Sequence, residues 1–217
     1  MSDGLLHRYY LSNISKIIDK WFHYFDIYDR HFSRFRNKSP VMLEISVLGG
    51  GSLAMWKTYF GEGSRIIGVD INPACKAHEA DGIEVFVGSQ DDSALIEQIF
   101  TTYPHIDIVL DDGSHLMRHM RASFELIYER LDPHGLYMVE DTHTCYLPTY
   151  QGGLRETGSF MEFVKDKLDE LNALYTGGAL PVSAFTKSTG SISCYDSVVV
   201  FERKPQGIRT SAITGSF

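Results

Sequence analysis

The chain has 217 residues, 43% hydrophobic and 22% charged, with a formal net charge of -8. That length and balance describe one ordinary globular domain with a sizeable core, and the negative charge argues against nonspecific binding to nucleic acid or anionic lipid. No apolar run reaches membrane-spanning length, the N-terminus MSDGLLHRYY lacks a signal-peptide pattern, and Cys75, Cys145 and Cys194 have neither disulfide-framework nor zinc-finger spacing. The expected compartment is the cytoplasm, with no membrane and no nucleic-acid partner.

In chain order, residues of about 5 to 36 place Ile14, Ile18, Trp21, Phe25, Tyr28, Phe32 and Phe35 at alternating intervals of four and three. This predicts a helix with an aromatic face, and residues 1–38 are assigned as an N-terminal helical appendage. Its stripe packs on the domain or on another subunit. From residue 41 the rhythm becomes short apolar strands (41–47, 65–71, 83–88, 106–112 and 135–141) separated by helical patterns, which predicts an α/β fold with a mostly parallel sheet covered on both faces. After the fourth strand, Met120, Phe124, Ile127 and Leu131 form one helical face. Another helix is predicted from Ser159 to Tyr175 with Phe160, Val164, Leu168, Leu171 and Tyr175 aligned. Two closely linked strands, 191–196 and 197–204, end the main domain (39–204), and 205–217 is a loose tail.

In an open parallel sheet, ligands bind beyond the carboxyl ends of the strands. The first strand ends in LGGGSLAMW (48–56), three glycines opening a helix whose predicted cap is Ser52. Such a turn lets backbone N–H groups approach an anionic group. Asp70 ends the second strand about 20 residues on, where an acid commonly binds ribose hydroxyls. S-adenosylmethionine and a nicotinamide dinucleotide both fit this layout, although Ser46 and Leu48 interrupt a GxGxxG register.

The fourth strand runs into VLDDGSH (109–115) and the fifth into VEDTH (139–143). Alternation sends Asp111 and Asp112 to opposite faces, so one of them enters a given site, and parity alone does not say which. Glu140 and Asp141 escape that limit once the chain leaves the strand. Converging carboxylates without cysteine suit a hard divalent ion such as Mg²⁺, Mn²⁺ or Ca²⁺; the competing assignment is that Asp112 and Asp141 cap the following turns. His115, placed in the first turn of the next helix, is a candidate proton acceptor: the helix dipole disfavours imidazolium and nearby acids oppose that effect. His119 reads as a surface or core-edge residue.

Taken together, LEISVLGGGSLAMWKTYFGEGSRIIGVDINPAC, VFVGSQDD, IDIVLDDGSH, MVEDTHTCYLP and YDSVVVFE resemble the class I S-adenosylmethionine-dependent sugar O-methyltransferases of the macrocin and mycinamicin type, with their cephalosporin-hydroxylase-like relatives. The resemblance runs from Lys20 to about Lys204. It implies a Rossmann-like seven-stranded sheet with an antiparallel C-terminal strand, S-adenosylmethionine with Mg²⁺ or Mn²⁺, a small-molecule glycoside as acceptor, and a homo-oligomer. It also implies metal ligation by Asp112, Glu140 and Asp141, with His115 as general base. The cofactor would meet Glu44, Gly49, Gly50 and Ser52 at its methionine part, Asp70 at the ribose and Ser89 and Gln90 near the adenine, with Asp112 bordering cofactor and metal alike. Ser46 and Ser89 depart from the family pattern, where a glycine and an acid are usual. An NAD(P)-dependent oxidoreductase and a noncatalytic nucleoside-binding module are the alternatives.

Overall fold

Short runs dominated by Val, Ile, Leu and Met are too brief for helices and too apolar for a half-solvated sheet, and they form a central sheet buried on both faces. The computed structural model describes residues 4–215. Its strands are β1 (Val41–Ile45), β2 (Arg65–Asp70), β3 (Ile83–Val87), β4 (Ile108–Asp111), β5 (Leu136–Val139), β6 (Thr189–Tyr195) and β7 (Val198–Arg203). They lie in the order β3-β2-β1-β4-β5-β7-β6. Pairing is parallel from β3 through β5, and β7 runs antiparallel to both of its neighbours. This is the predicted architecture.

Alternation divides the core between two faces. Leu43, Ile67, Val109, Tyr137 and Val139 pack against helices α4 (Ser93–Thr102), α5 (Met117–Ile127), α6 (Phe160–Leu171) and α7 (Ala184–Ser188). Met42, Ile66, Leu110 and Met138 pack against α1 (Leu5–Ser12), α2 (Tyr24–Phe32) and α3 (Gly51–Phe60). The α5 face is as predicted, with Met120, Phe124, Ile127 and Leu131 all buried. The following prediction holds only in part. Phe160 and Val164 are buried in α6, but the helix ends at Leu171, and Leu168 and Tyr175 are exposed.

The N-terminal segment corrects the single predicted helix. Asn13 stops α1 by turning its side chain onto the backbone of Ser15 and Lys16, the local competition that takes Asn out of helix interiors. The chain then runs non-helically to residue 20, and α2 begins only at Tyr24. Of the stripe expected to pack on the domain or on another subunit, Ile14 and Trp21 are exposed, whereas Phe25, Tyr28 and Phe32 are fully buried against α3 and the sheet.

Candidate active site

Strand order reverses between β1 and β4, so the crevice for a ligand opens where these two strands end. Two cavities occupy it. One, of about 210 Å³, is lined by Glu44, Asp112, His115, Glu140 and Asp141. The other, of about 300 Å³, is lined by Asp70, Ser89, Gln90, Ser114 and His119. Ser46 and Gly113 line both, so a thin wall separates the spaces.

The first cavity collects the acids. Asp111, the last residue of β4, is 2% exposed and accepts hydrogen bonds from Tyr137, Ser123 and Gln90 at 2.7, 2.6 and 3.1 Å. Asp112, one residue on, faces the cavity. Glu140 and Asp141 both line it because Asp141 adopts φ +53, a left-handed turn that breaks strand alternation directly after β5. His115 lies outside α5, at φ +57 before the N-cap residue Leu116, which corrects its predicted place in the first helical turn. The dipole argument therefore lapses. Carboxylates set its surroundings instead: Nε2 is 3.6 Å from Asp141 Oδ2 and 3.8 Å from Asp112 Oδ1. Donor atoms of Asp112, His115 and Asp141 lie within 4.8 Å of one another, so the two acids can seat a divalent cation beside the imidazole, whereas Glu140, the third acid of the predicted trio, lies outside this group. Glu140, 1% exposed, accepts from Tyr28 on Oε1 and from Lys20 at 2.7 Å on Oε2. Each carboxylate oxygen has more than one lone-pair direction, so these bonds leave Glu140 able to accept again.

Lys20 is the residue that sequence reasoning missed. It is 7% exposed, its ammonium donates to Asp112 at 2.5 Å and to Glu140, and it lies 3.8 Å from Glu44. Burial works against its charge, but the pull of Asp112, Glu140 and Glu44 outweighs burial and holds it well above the usual lysine value. Burial conversely pushes Glu44 up to about 7, against the pull of Lys20, and raises Glu140 as well. A lysine among aromatic residues in KWFHYF, four before Tyr24, was the available signal.

Glu44 and Ser52, both lining the first cavity, are joined: Glu44 accepts from Ser52 Oγ at 2.9 Å. Ser52 is not the cap of α3; Gly50, at φ +70, holds that position and Ser52 sits inside the first turn. The glycine turn is covered by the chain itself: Gly51 N–H donates to Ile17 O at 3.2 Å, and a Cβ at Gly49 would stand 2.9 Å from Ile17 Cβ. Gly50 faces His78 in the same way. Asp70 accepts from the backbone N–H groups of Val47 and Asn72, both at 2.9 Å. Burial opposes its ionisation, yet these bonds hold it below the usual carboxylate range. Ser89 donates to Asp91. Gln90 is turned inward, bridging Asp111, Ser123 and the N–H of Ser114.

Ser46 stands at φ +83, a conformation that penalises a side chain. Ser46→Gly should stabilise the protein by about 1 kcal/mol, the relief of left-handed strain less the added freedom of the unfolded chain. Urea denaturation measures this; a less stable variant would show that the hydroxyl has a role of its own.

An open parallel sheet with an antiparallel strand at one side, and a crevice at its switch point, defines the class I methyltransferase fold. The O-methyltransferase from Bacillus cereus in complex with SAH shares that fold, with a TM-score of 0.58 at 14% identity over 91% of this chain and 88% of that one. No family model matches the chain. It is 35% identical over 198 residues to the 8-demethyl-8-alpha-L-rhamnosyl tetracenomycin-C 2'-O-methyltransferase of Streptomyces olivaceus, a match spanning 86% of this chain and 52% of the relative. It is 41% identical over 132 residues to the demethylmacrocin O-methyltransferase of Streptomyces fradiae, spanning 58% of this chain and 33% of the relative. The MycE methyltransferase from the mycinamycin biosynthetic pathway, in complex with Mg, SAH and mycinamycin VI, superposes with a TM-score of 0.79 at 31% identity, covering 93% of this chain and 53% of that one. The chain is thus a homologue of the sugar O-methyltransferases, as its motifs indicate, and it spans about half the length or less of the curated relatives it matches.

Proposed function

We propose that the protein transfers the methyl group of S-adenosylmethionine to a hydroxyl of a sugar on a small glycosylated molecule, in a reaction that needs a divalent cation. The observation that carries this reading is the meeting of Asp112, Asp141 and His115 in a cavity that shares Ser46 and Gly113 with the crevice beside it. Asp112, Glu140 and Asp141 would hold the ion, which when bound lowers the pKa of an acceptor hydroxyl and fixes its direction. His115 Nε2 takes the hydroxyl proton as the oxygen bonds to the methyl carbon and the sulfur–carbon bond breaks. Glu44, Gly49, Gly50 and Ser52 would border the methionine part of the cofactor, Asp70 the ribose, and Ser89 and Gln90 the adenine. Tyr150, whose ring lies 6.1 Å from that of His115, and the half-exposed Tyr146 would flank the acceptor.

In the same reading residues 39–204 are the methyltransferase domain, preceded by 1–38 and followed by a tail. Free thiols at Cys75, Cys145 and Cys194 support a cytoplasmic location, and the exposed Ile14, Ile17 and Phe22 support self-association. Among the described residues no helix is long and apolar enough to cross a membrane. Titration with S-adenosylmethionine and with NAD, followed by a glycoside screen with labelled methyl donor, tests the activity. Methyl transfer should vanish with chelator and return with Mg²⁺. Tight NAD binding without response to S-adenosylmethionine, or turnover indifferent to chelator, would overturn the reading.

A further inference from the structure

We infer that Lys20, Tyr24 and Tyr28 form a clamp that positions the acids of the acceptor cavity, an inference that rests on the metal-dependent reading above. The three residues are spaced four apart and each grips a carboxylate delivered by the far ends of β4 and β5. Lys20 Nζ donates to Asp112 Oδ2 at 2.5 Å and to Glu140 Oε2 at 2.7 Å. Tyr24 donates to Asp141 Oδ1 at 2.6 Å, and Tyr28 donates to Glu140 Oε1. The gripped oxygens of Asp112 and Asp141 are the ones turned away from His115; Asp112 Oδ1 and Asp141 Oδ2 face it. Each of these two acids therefore has one held oxygen and one open oxygen, and the open pair belongs to the only cluster among the described residues able to seat a cation.

The gripping groups are themselves held. Tyr28 is fully buried, stacked on Phe32 with ring centroids 5.7 Å apart and set edge-on to Trp56 at 5.1 Å. Tyr24 is 1% exposed and stacks on Trp21 at 5.6 Å. Their hydroxyls thus present fixed donors, and partners of this kind orient metal ligands; losing one costs about 10- to 100-fold in metal affinity. A purely structural tie between the N-terminal segment and the sheet would leave that affinity unchanged.

The test uses the whole chain and Mn²⁺ as probe, read by electron paramagnetic resonance, with S-adenosylhomocysteine affinity measured by calorimetry. Tyr24→Phe removes one hydroxyl and little volume, and should weaken Mn²⁺ binding about 10- to 100-fold with S-adenosylhomocysteine affinity unchanged. In the Asp141→Ala background the same substitution should have no further effect, because its partner is gone. Equal Mn²⁺ affinity in the wild type and in Tyr24→Phe would overturn the clamp and leave the functional reading standing. Absence of Mn²⁺ binding in the wild type would overturn both. Should Tyr24→Phe not fold, Tyr28→Phe makes the same comparison through Glu140 Oε1, again by removing one neutral hydroxyl, with the same two outcomes.

Discussion

Replacing His115 with alanine should lower methyl transfer about 10²- to 10⁴-fold, the contribution of a positioned proton acceptor, while binding of S-adenosylhomocysteine stays intact. The imidazole lines the cavity and directs Nε2 toward the open oxygens of Asp112 and Asp141. The neighbouring His143 is committed elsewhere: its Nδ1 lies 2.7 Å from Ser197 Oγ and its ring stacks on Trp21. Single-turnover kinetics with saturating cofactor separate this effect from binding. A variant that keeps more than a tenth of the rate would show that the proton leaves by another route.

The largest expected loss of stability follows from Asp111→Ala, about 3 to 5 kcal/mol. Removing the carboxylate strands the buried hydroxyl of Tyr137, leaves the Gln90 amide with Ser123 alone and turns Ser123 onto the carbonyls of His119 and Met120, in a buried position where a lost partner and a cavity are both costly. Burial already raises the Asp111 carboxyl above its usual value, and the bonds from Ser123 and Tyr137 act against that rise. Asp111→Asn keeps the shape and one acceptor oxygen, so it should cost clearly less. Urea unfolding of the two variants decides the matter; a loss below about 1 kcal/mol for alanine would mean that the network is not cooperative.

These two residues also show what could be read from the chain. Strand alternation required Asp111 and Asp112 to part company, and the structure sends Asp111 into the core and Asp112 into the cavity. The sheet was legible because buried strands declare themselves by apolar runs at fixed intervals, and the α5 face because its spacing is helical. The left-handed turns at His115 and Asp141 were not legible, since His and Asp, although enriched in that conformation, adopt it at only a small share of their positions. The N-terminal segment misled for a different reason. Its aromatic spacing is helical, but residues 13–20 are held by contacts with the glycine turn some 30 positions later, and no local pattern carries that information. For the same cause the bonds by which Gln90 ties β4 to α5 were not legible in the chain.

The spacing of Tyr24 and Tyr28 ties chemistry to chain register. Successive residues of a helix are rotated by about 100°, so one residue inserted or deleted between them would swing one hydroxyl off its carboxylate while every strand kept its place. Length changes tolerated in the loops around the sheet would be silent; a single one inside this turn of helix would leave a folded protein whose acids point nowhere in particular. The aromatic segment is therefore a ruler against which the ends of β4 and β5 are set.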